Sequence, residues 1–233
     1  MHLFYLSTIE GNAGVLSEEE SWHCMKVLRS KEGDMILATD GLGNIYRGRL
    51  SKIHHKGCLV EIIETKQVPR NPWQTHVAMA PTKNTDRFEW FLEKATEIGI
   101  DEITPLICEN SERETVKLPR LEKVLVSAMK QSLKAWLPKL NEPVRFKKFV
   151  SGGIQGQKFI GYCETGNESA LERLYIPGND AVILIGPEGD FSKTEVDLAT
   201  ASGFVPVSLG ASRLRTETAG VMACHTVELM NRL

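Results

Sequence analysis

Two textures of hydrophobic and polar residues divide the chain. Up to about residue 68, short apolar runs alternate with turn residues. Met35, Ile36, Leu37 and Ala38 are followed by Asp40-Gly41 and Gly43-Asn44, and then by the alternating residues 45–50, which predicts strand, turn and strand. Residues 58–63 predict a further strand. One helix interrupts this pattern. Ser17 and Glu20 have the spacing of a capping box, opening a helix that runs to Arg29. The stretch KQVPRNPWQ, residues 66–74, carries two prolines and no periodicity. It predicts a boundary, with a small β-rich domain over 1–70 and a second domain over 71–233.

Beyond the boundary, strand and helix patterns take turns. Residues 76–80 predict a strand. Asp86 is positioned to cap a helix whose Phe88, Phe91, Leu92 and Ala95 fall at helical spacing and which stops at Gly99. Strands are predicted at 103–107, 159–163, 181–185 and 204–209, and a helix at 121–135. Ser192 and Glu195 form a second capping box, opening a helix that ends at Gly203. A last helix starts near Glu217, with Ala219, Met222, Ala223, Thr226, Val227, Met230 and Leu233 on one apolar face. That stripe is longer than a lone domain needs, and part of it is suited to packing across a two-fold axis. Such alternation predicts an α/β fold with a largely parallel sheet.

Composition narrows the class. Apolar residues make up 42% of the chain and charged ones 25%, as in ordinary packed domains. No apolar run is long enough to span a membrane, and the opening MHLFYLSTIEGNAG lacks the pattern of a secretory signal. The five cysteines are scattered without a CxxC, which predicts reduced thiols and neither a disulfide framework nor a zinc site. His54-His55 and Cys224-His225 lack a third ligand at plausible spacing, so no metal is expected. The net charge of −2 hides an asymmetry. Residues 113–148 hold ten Lys or Arg against three Glu, and residues 168–202 hold seven acids against two bases. A basic segment can follow a phosphate backbone whatever the overall sum. A solvated helix face explains the same charges.

Ligands of open α/β sheets sit beyond the carboxyl ends of strands. Two glycine-bearing strand ends stand out there, IGPEGDFS at 185–192 and LGASRLRTETAG at 209–220. Neither GxGxxG nor GxxxxGK[ST] occurs, so neither a dinucleotide fingerprint nor a phosphate loop is supported.

Together, IGPEGDFSKTE and SLGASRLRTETAG resemble the ribosomal RNA small-subunit methyltransferase E family, of the SPOUT class. The resemblance covers nearly the whole chain. HCMKVLRSKEGDMILATDGLGNIYRGRL looks like that family's PUA-like RNA-binding module, and Lys83, Asp86 to Trp90 and Lys94 to Gly99 resemble its opening helix. Lys130-Gln131-Ser132 matches a segment usually written with Glu before Gln-Ser. Asp190 stands where a second Gly is usual, and Ser212 where Arg is common.

The resemblance implies a trefoil-knotted SPOUT domain and a cytoplasmic homodimer. It also implies transfer of a methyl group from S-adenosyl-L-methionine to N3 of one uridine in 16S ribosomal RNA, free or in the small subunit. In this reading Gly186, Glu188, Gly189, Leu209, Gly210 and Leu214 hold the cofactor. Arg215 stabilises the uracil anion, and Glu217 orients Arg215 or receives the proton. Lys26, Arg29, Lys83, Lys94, Arg113, Lys130 and Lys134 contact RNA, with Trp136 near them as a stacking surface. The same residues leave room for an inactive RNA-binding protein of this fold or for a SPOUT enzyme acting at a different RNA position. A nicotinamide dehydrogenase is disfavoured by the missing fingerprint.

Overall fold

The computed structural model describes residues 2–54, 57–162 and 169–233. Cys163, expected to end a strand, and His55 lie outside them. Contacts divide the chain into two compact units. One holds residues up to Arg70 together with Val126–Leu137, and the other holds Asn71–Leu125 and Pro138–Leu233.

The first unit is a closed barrel. Its strands are β1 (Leu3–Glu10), β2 (Ala13–Leu16), β3 (Met35–Thr39), β4 (Asn44–Lys52) and β5 (Leu59–Gln67), in the order β1-β2-β5-β4-β3. Parallel pairing of Leu3 with Leu37 and Tyr5 with Thr39 closes it. Along β4, Tyr46, Gly48 and Leu50 turn inward while Arg47 and Arg49 face solvent, the period of two that its sequence predicts. The core combines Phe4, Leu6, Leu16, Ile36, Ala38, Leu50 and Val60. β1 and β2 were not predicted as elements, and β5 continues into residues expected to be linker.

The helix expected over 17–29 is shorter and less regular. It is α1 (Glu18–Trp22), followed by a π-helical turn, His23–Val27, after which Arg29 adopts φ +54°. Ser17 accepts from Glu20 N at 3.2 Å, but the Glu20 carboxylate pairs with Lys130 instead of closing the box. Val126–Leu137 joins this unit through backbone bonds. Gly43 N donates to Ala135 O at 2.9 Å, and Leu137 N donates to Gly41 O at 2.9 Å. A boundary placed near residue 70 misses this segment because local sequence does not show which barrel loop it meets.

The second unit is a parallel sheet with helices. In chain order it contains β6 (Thr75–Met79), α2 (Thr85–Ile98), β7 (Glu102–Ile107), the start of α3 (Leu118–Gln131), β8 (Lys139–Leu140), β9 (Val144–Arg145), α4 (Phe146–Val150), β10 (Gln157–Gly161), α5 (Leu171–Leu174), β11 (Ala181–Ile185), α6 (Lys193–Ala201), β12 (Val205–Val207) and α7 (Thr216–Met230). Among the described residues the sheet has seven strands in the order β12-β10-β11-β6-β7-β8, with β9 also on β7, and every pair is parallel. β11 is buried at all five positions, as a strand covered on both faces should be.

Caps set the helices. Asn84, not Asp86, caps α2, accepting from Asp86 N at 3.0 Å. The Ser192–Glu195 box closes in both directions at the start of α6. α7 does not bury the face its apolar residues predict. Thr216, Glu217, Gly220, Ala223, Cys224 and Val227 are buried, while Met222 and Leu229 are exposed. Gly220 is the reason. A Cβ there would lie 2.7 Å from Met79 Sδ and 2.7 Å from Phe91 Cε2, so the helix approaches α2 and β6 along its small residues.

Candidate functional site

The carboxyl ends of β10, β11 and β12 open into a cleft of about 730 Å³. Gly161 and Tyr162 line it from β10, Ile185 to Glu188 and Asp190 from the loop after β11, and Val207 to Arg215 from the segment leading into α7. Arg87 of α2, with Thr216 and Ala219 of α7, completes the wall. The volume is that of an ordinary small-molecule pocket.

Of the residues expected to hold a cofactor, Gly186, Glu188, Leu209, Gly210 and Leu214 line this cleft. Gly189 does not. Its carbonyl accepts from Asn110 Nδ2 at 3.3 Å, so it packs the loop against the segment after β7. Glu188 Oε1 accepts from Lys83 N at 3.0 Å. Gly210 has φ +153°, and a Cβ at this position would meet no atom within 4 Å. Only glycine adopts this backbone readily, so the loop is shaped by conformation and not by a crowded neighbour. Asp190, where a Gly is usual, has φ +63°. Asp is among the few other residues that enter this region, and its Oδ1 accepts from Phe191 N at 2.8 Å.

Arg215 occupies the N-cap position of α7 and lines the cleft, with no side-chain cap for the helix. The helix therefore presents uncapped N–H groups at its start, the end that attracts negative charge. Glu217 is only 7% exposed and is not a lining residue. The expected pairing of Glu217 with Arg215 is not formed. Its Oε1 lies 3.8 Å from Arg87 Nε, and its buried Oε2 has no hydrogen-bond partner among the described residues. The tight packing at Gly220 draws the start of α7 onto α2 and gives Glu217 to Arg87. Arg87 was missed because its partner lies in another helix far along the chain.

The basic residues are scattered and often already paired. Lys26 and Arg29 are exposed on the turn after α1. Lys83 Nζ lies 2.7 Å from Glu112, and Lys94 bridges Glu93 and Glu97 at 2.7 and 2.8 Å. Arg113 donates to Lys83 O at 3.2 and 2.9 Å, bracing the loop after β6. Lys130 pairs with Glu20, and Lys134 is half-buried beyond the end of α3. Arg120, Lys139 and Arg145 are paired with Glu89, Glu102 and Glu114. Part of the positive excess of residues 113–148 is thus offset by Glu20, Glu89 and Glu102 from outside the segment. Trp136 donates from Nε1 to Val68 O at 3.0 Å, and Arg70 lies 4.5 Å from its ring centroid, so one ring face is occupied.

The RNA methyltransferase domain family matches residues 69–228, and the RNA methyltransferase PUA domain family matches residues 16–63. The ribosomal RNA small subunit methyltransferase E of Synechocystis is 30% identical over 222 residues, covering 92% of this chain and 72% of that protein. A crystallised protein of Porphyromonas gingivalis, described as a probable rRNA-methyltransferase, superposes with a TM-score of 0.91 at 38% identity, over 100% of this chain and 99% of that one. The ribosomal RNA small subunit methyltransferase E of Neisseria gonorrhoeae, crystallised with S-adenosyl methionine, superposes with a TM-score of 0.85 at 26% identity, over 96% and 95%. With both domain families matched in order, and a relative aligned over almost the whole chain, this protein belongs to the ribosomal RNA small subunit methyltransferase E family.

Proposed function

We propose that the protein methylates N3 of a uridine in 16S ribosomal RNA, using S-adenosyl-L-methionine bound in the cleft. The observation that carries this reading is the meeting of two glycine-bearing loops, after β11 and β12, beside Arg215. The residues present suit the donor. Ile185, Val207, Leu209 and Leu214 give apolar walls for an adenine, the loop backbones supply donors and acceptors for its edge, and Glu188 has a second carboxylate oxygen for a ribose hydroxyl.

When bound, the donor supplies a methyl group on a sulfonium, so that N3 gains the N–C bond, the C–S bond breaks with its electrons left on sulfur, and the N3 proton passes to water. The protein has two tasks. It orients the base, and such positioning is worth roughly 7–11 kcal/mol where the geometry is right. It also stabilises the uracil anion, which is the role of Arg215 and of the uncapped start of α7.

RNA contact in this reading falls first on Lys26 and Arg29, which are exposed, together with Arg113, Lys134 and the paired Lys83, Lys94 and Lys130. The exposed Met222 and Leu229 on α7 fit a homodimer. The knotted threading of the chain into α7 and a cytoplasmic place of action belong to the same proposal. Mass spectrometry of nucleosides from 16S RNA tests it. A strain lacking the gene should lose 3-methyluridine, and the wild-type gene but not Arg215→Ala should restore it. Unchanged 3-methyluridine in the deletion strain would reject the assignment.

A further inference from the structure

Three arginines line the cleft, Arg87, Arg213 and Arg215. Arg213 and Arg215 are exposed on the segment before α7. Arg87 differs in being mounted on α2, where Arg87 N donates to Asn84 O at 3.2 Å within the first turn. Its side chain is 39% exposed, and its ion-pair partner is Glu217. At 3.8 Å that pair is too long for a hydrogen bond. Among the described residues the Arg87 guanidinium makes no other ion pair, and all five of its N–H donors remain available.

The placement runs against local electrostatics. Arg87 lies in the first turn of α2 and against the first turn of α7, and the positive ends of both helices disfavour a cation. Glu217 offsets this, at the expense of a carboxylate oxygen buried without a partner. A fold that needed only to join α2 to α7 already has the packing of Phe91 against Gly220. Local rules broken in this way are characteristic of functional sites.

We propose that Arg87 is a catalytic residue that donates to the uracil being methylated, and that Glu217 is the positioning residue that aims it. This rests on the N3 methylation reading above. Fixed donors directed at developing negative charge do not need to reorganise during the reaction, which is why a cation on a helix is preferable to one on a loop. Arg87 favours the ionised base at neutral pH, and Glu217 acts only through Arg87.

The test compares wild type with Arg87→Met, Arg87→Lys and Glu217→Gln. Single-turnover methyl transfer to small subunits lacking the modification is measured between about pH 6 and 9. Affinity for S-adenosylmethionine is measured by calorimetry, and thermal unfolding is measured on the same samples. Arg87→Met should be roughly 100-fold slower near neutrality. The deficit should shrink as pH rises, because hydroxide then ionises N3 without help. Cofactor affinity should hold in all three variants. The melting temperature should hold in Arg87→Lys and Glu217→Gln and fall in Arg87→Met, which leaves the buried Glu217 carboxylate without its ion-pair partner. Arg87→Lys should recover part of the rate, and Glu217→Gln should lose about tenfold with the same pH trend. A deficit constant across pH, or a matching loss of cofactor affinity, would overturn the inference. So would variants as fast as a wild type that forms 3-methyluridine, in which case the N3 reading stands. A wild type that methylates some other atom would remove both.

Discussion

Glu188 holds the backbone of Lys83: its Oε1 accepts from Lys83 N at 3.0 Å, tying the loop after β11 to the loop after β6. Arg113 braces the same loop through Lys83 O. The carboxylate is therefore both a candidate ribose acceptor and a clamp on the cleft rim. Glu188→Ala should weaken S-adenosylmethionine binding by about tenfold or more, since a hydrogen bond to a charged group is lost. Glu188→Gln keeps an acceptor for Lys83 N and should lie between the two. Calorimetric titration of the three proteins checks this, and equal affinities would remove Glu188 from the site.

Gly210→Val should abolish cofactor binding while the chain stays folded. No neighbour blocks a side chain there, so the cost to the apoprotein is conformational, of order 1–3 kcal/mol at φ +153°. That corresponds to a fall in melting temperature of a few degrees for a chain of this size, about 2–4 °C per kcal/mol. The same substitution places two methyl groups at the cleft wall. Retained affinity alongside a lowered melting temperature would move the adenine slot elsewhere.

His76 makes stability depend on pH. Its Nε2 is 2.7 Å from Thr104 Oγ1, and its ring meets Phe149 edge-on at 5.5 Å. Burial pushes its pKa down from 6.5 to about 4, outweighing the upward pull of Glu102. The unfolded chain takes up a proton between these values and the folded chain does not, so stability falls as pH drops from about 6.5 towards 4. At the lower end the loss is at most about 3 kcal/mol. Urea unfolding at pH 7 and 5 should show a steeper drop for wild type than for His76→Gln. Equal drops would leave the effect with other groups.

Glu20 and Lys130 carry a charge pair inside the first unit. Glu20 is only 7% exposed. Lys130→Met strands that carboxylate and should destabilise the protein by about 2–3 kcal/mol, tempered by the partial exposure of the lysine. Glu20→Met combined with Lys130→Met should recover most of the loss, because a pair replaced by apolar groups leaves no orphan charge. Lys130→Glu, the residue type usual at this position in the family, should be worse than Lys130→Met because it faces Glu20 directly. Denaturant midpoints of these proteins and of Glu20→Met alone provide the measurement, and additive effects of the two single methionine substitutions would refute the coupling.

The sequence alone determined the α/β alternation, the strands β6, β7 and β11 and the Ser192–Glu195 cap, and it singled out five residues that line one cleft. All are signals carried within a few residues: a period of two or 3.6, a capping side chain, a glycine at a strand end. It also carried the family resemblance, because the loop motifs at 185–192 and 209–220 keep most of their residue types and their order, Asp190 and Ser212 aside.

The tertiary structure decided what depends on partners distant in the chain. β1 and β2 are strands because a barrel closes through Leu3 and Leu37. Val126–Leu137 belongs with the barrel because Gly41 and Gly43 bind its backbone. Three basic residues of 113–148, Arg120, Lys130 and Lys139, meet carboxylates brought to them by folding. Glu217 turned to Arg87, not Arg215, because Gly220 let two helices approach closely enough to choose its neighbour. Periodicity specifies which way a side chain points from its own element, but the charge or backbone waiting there is fixed only by the packing of the whole chain.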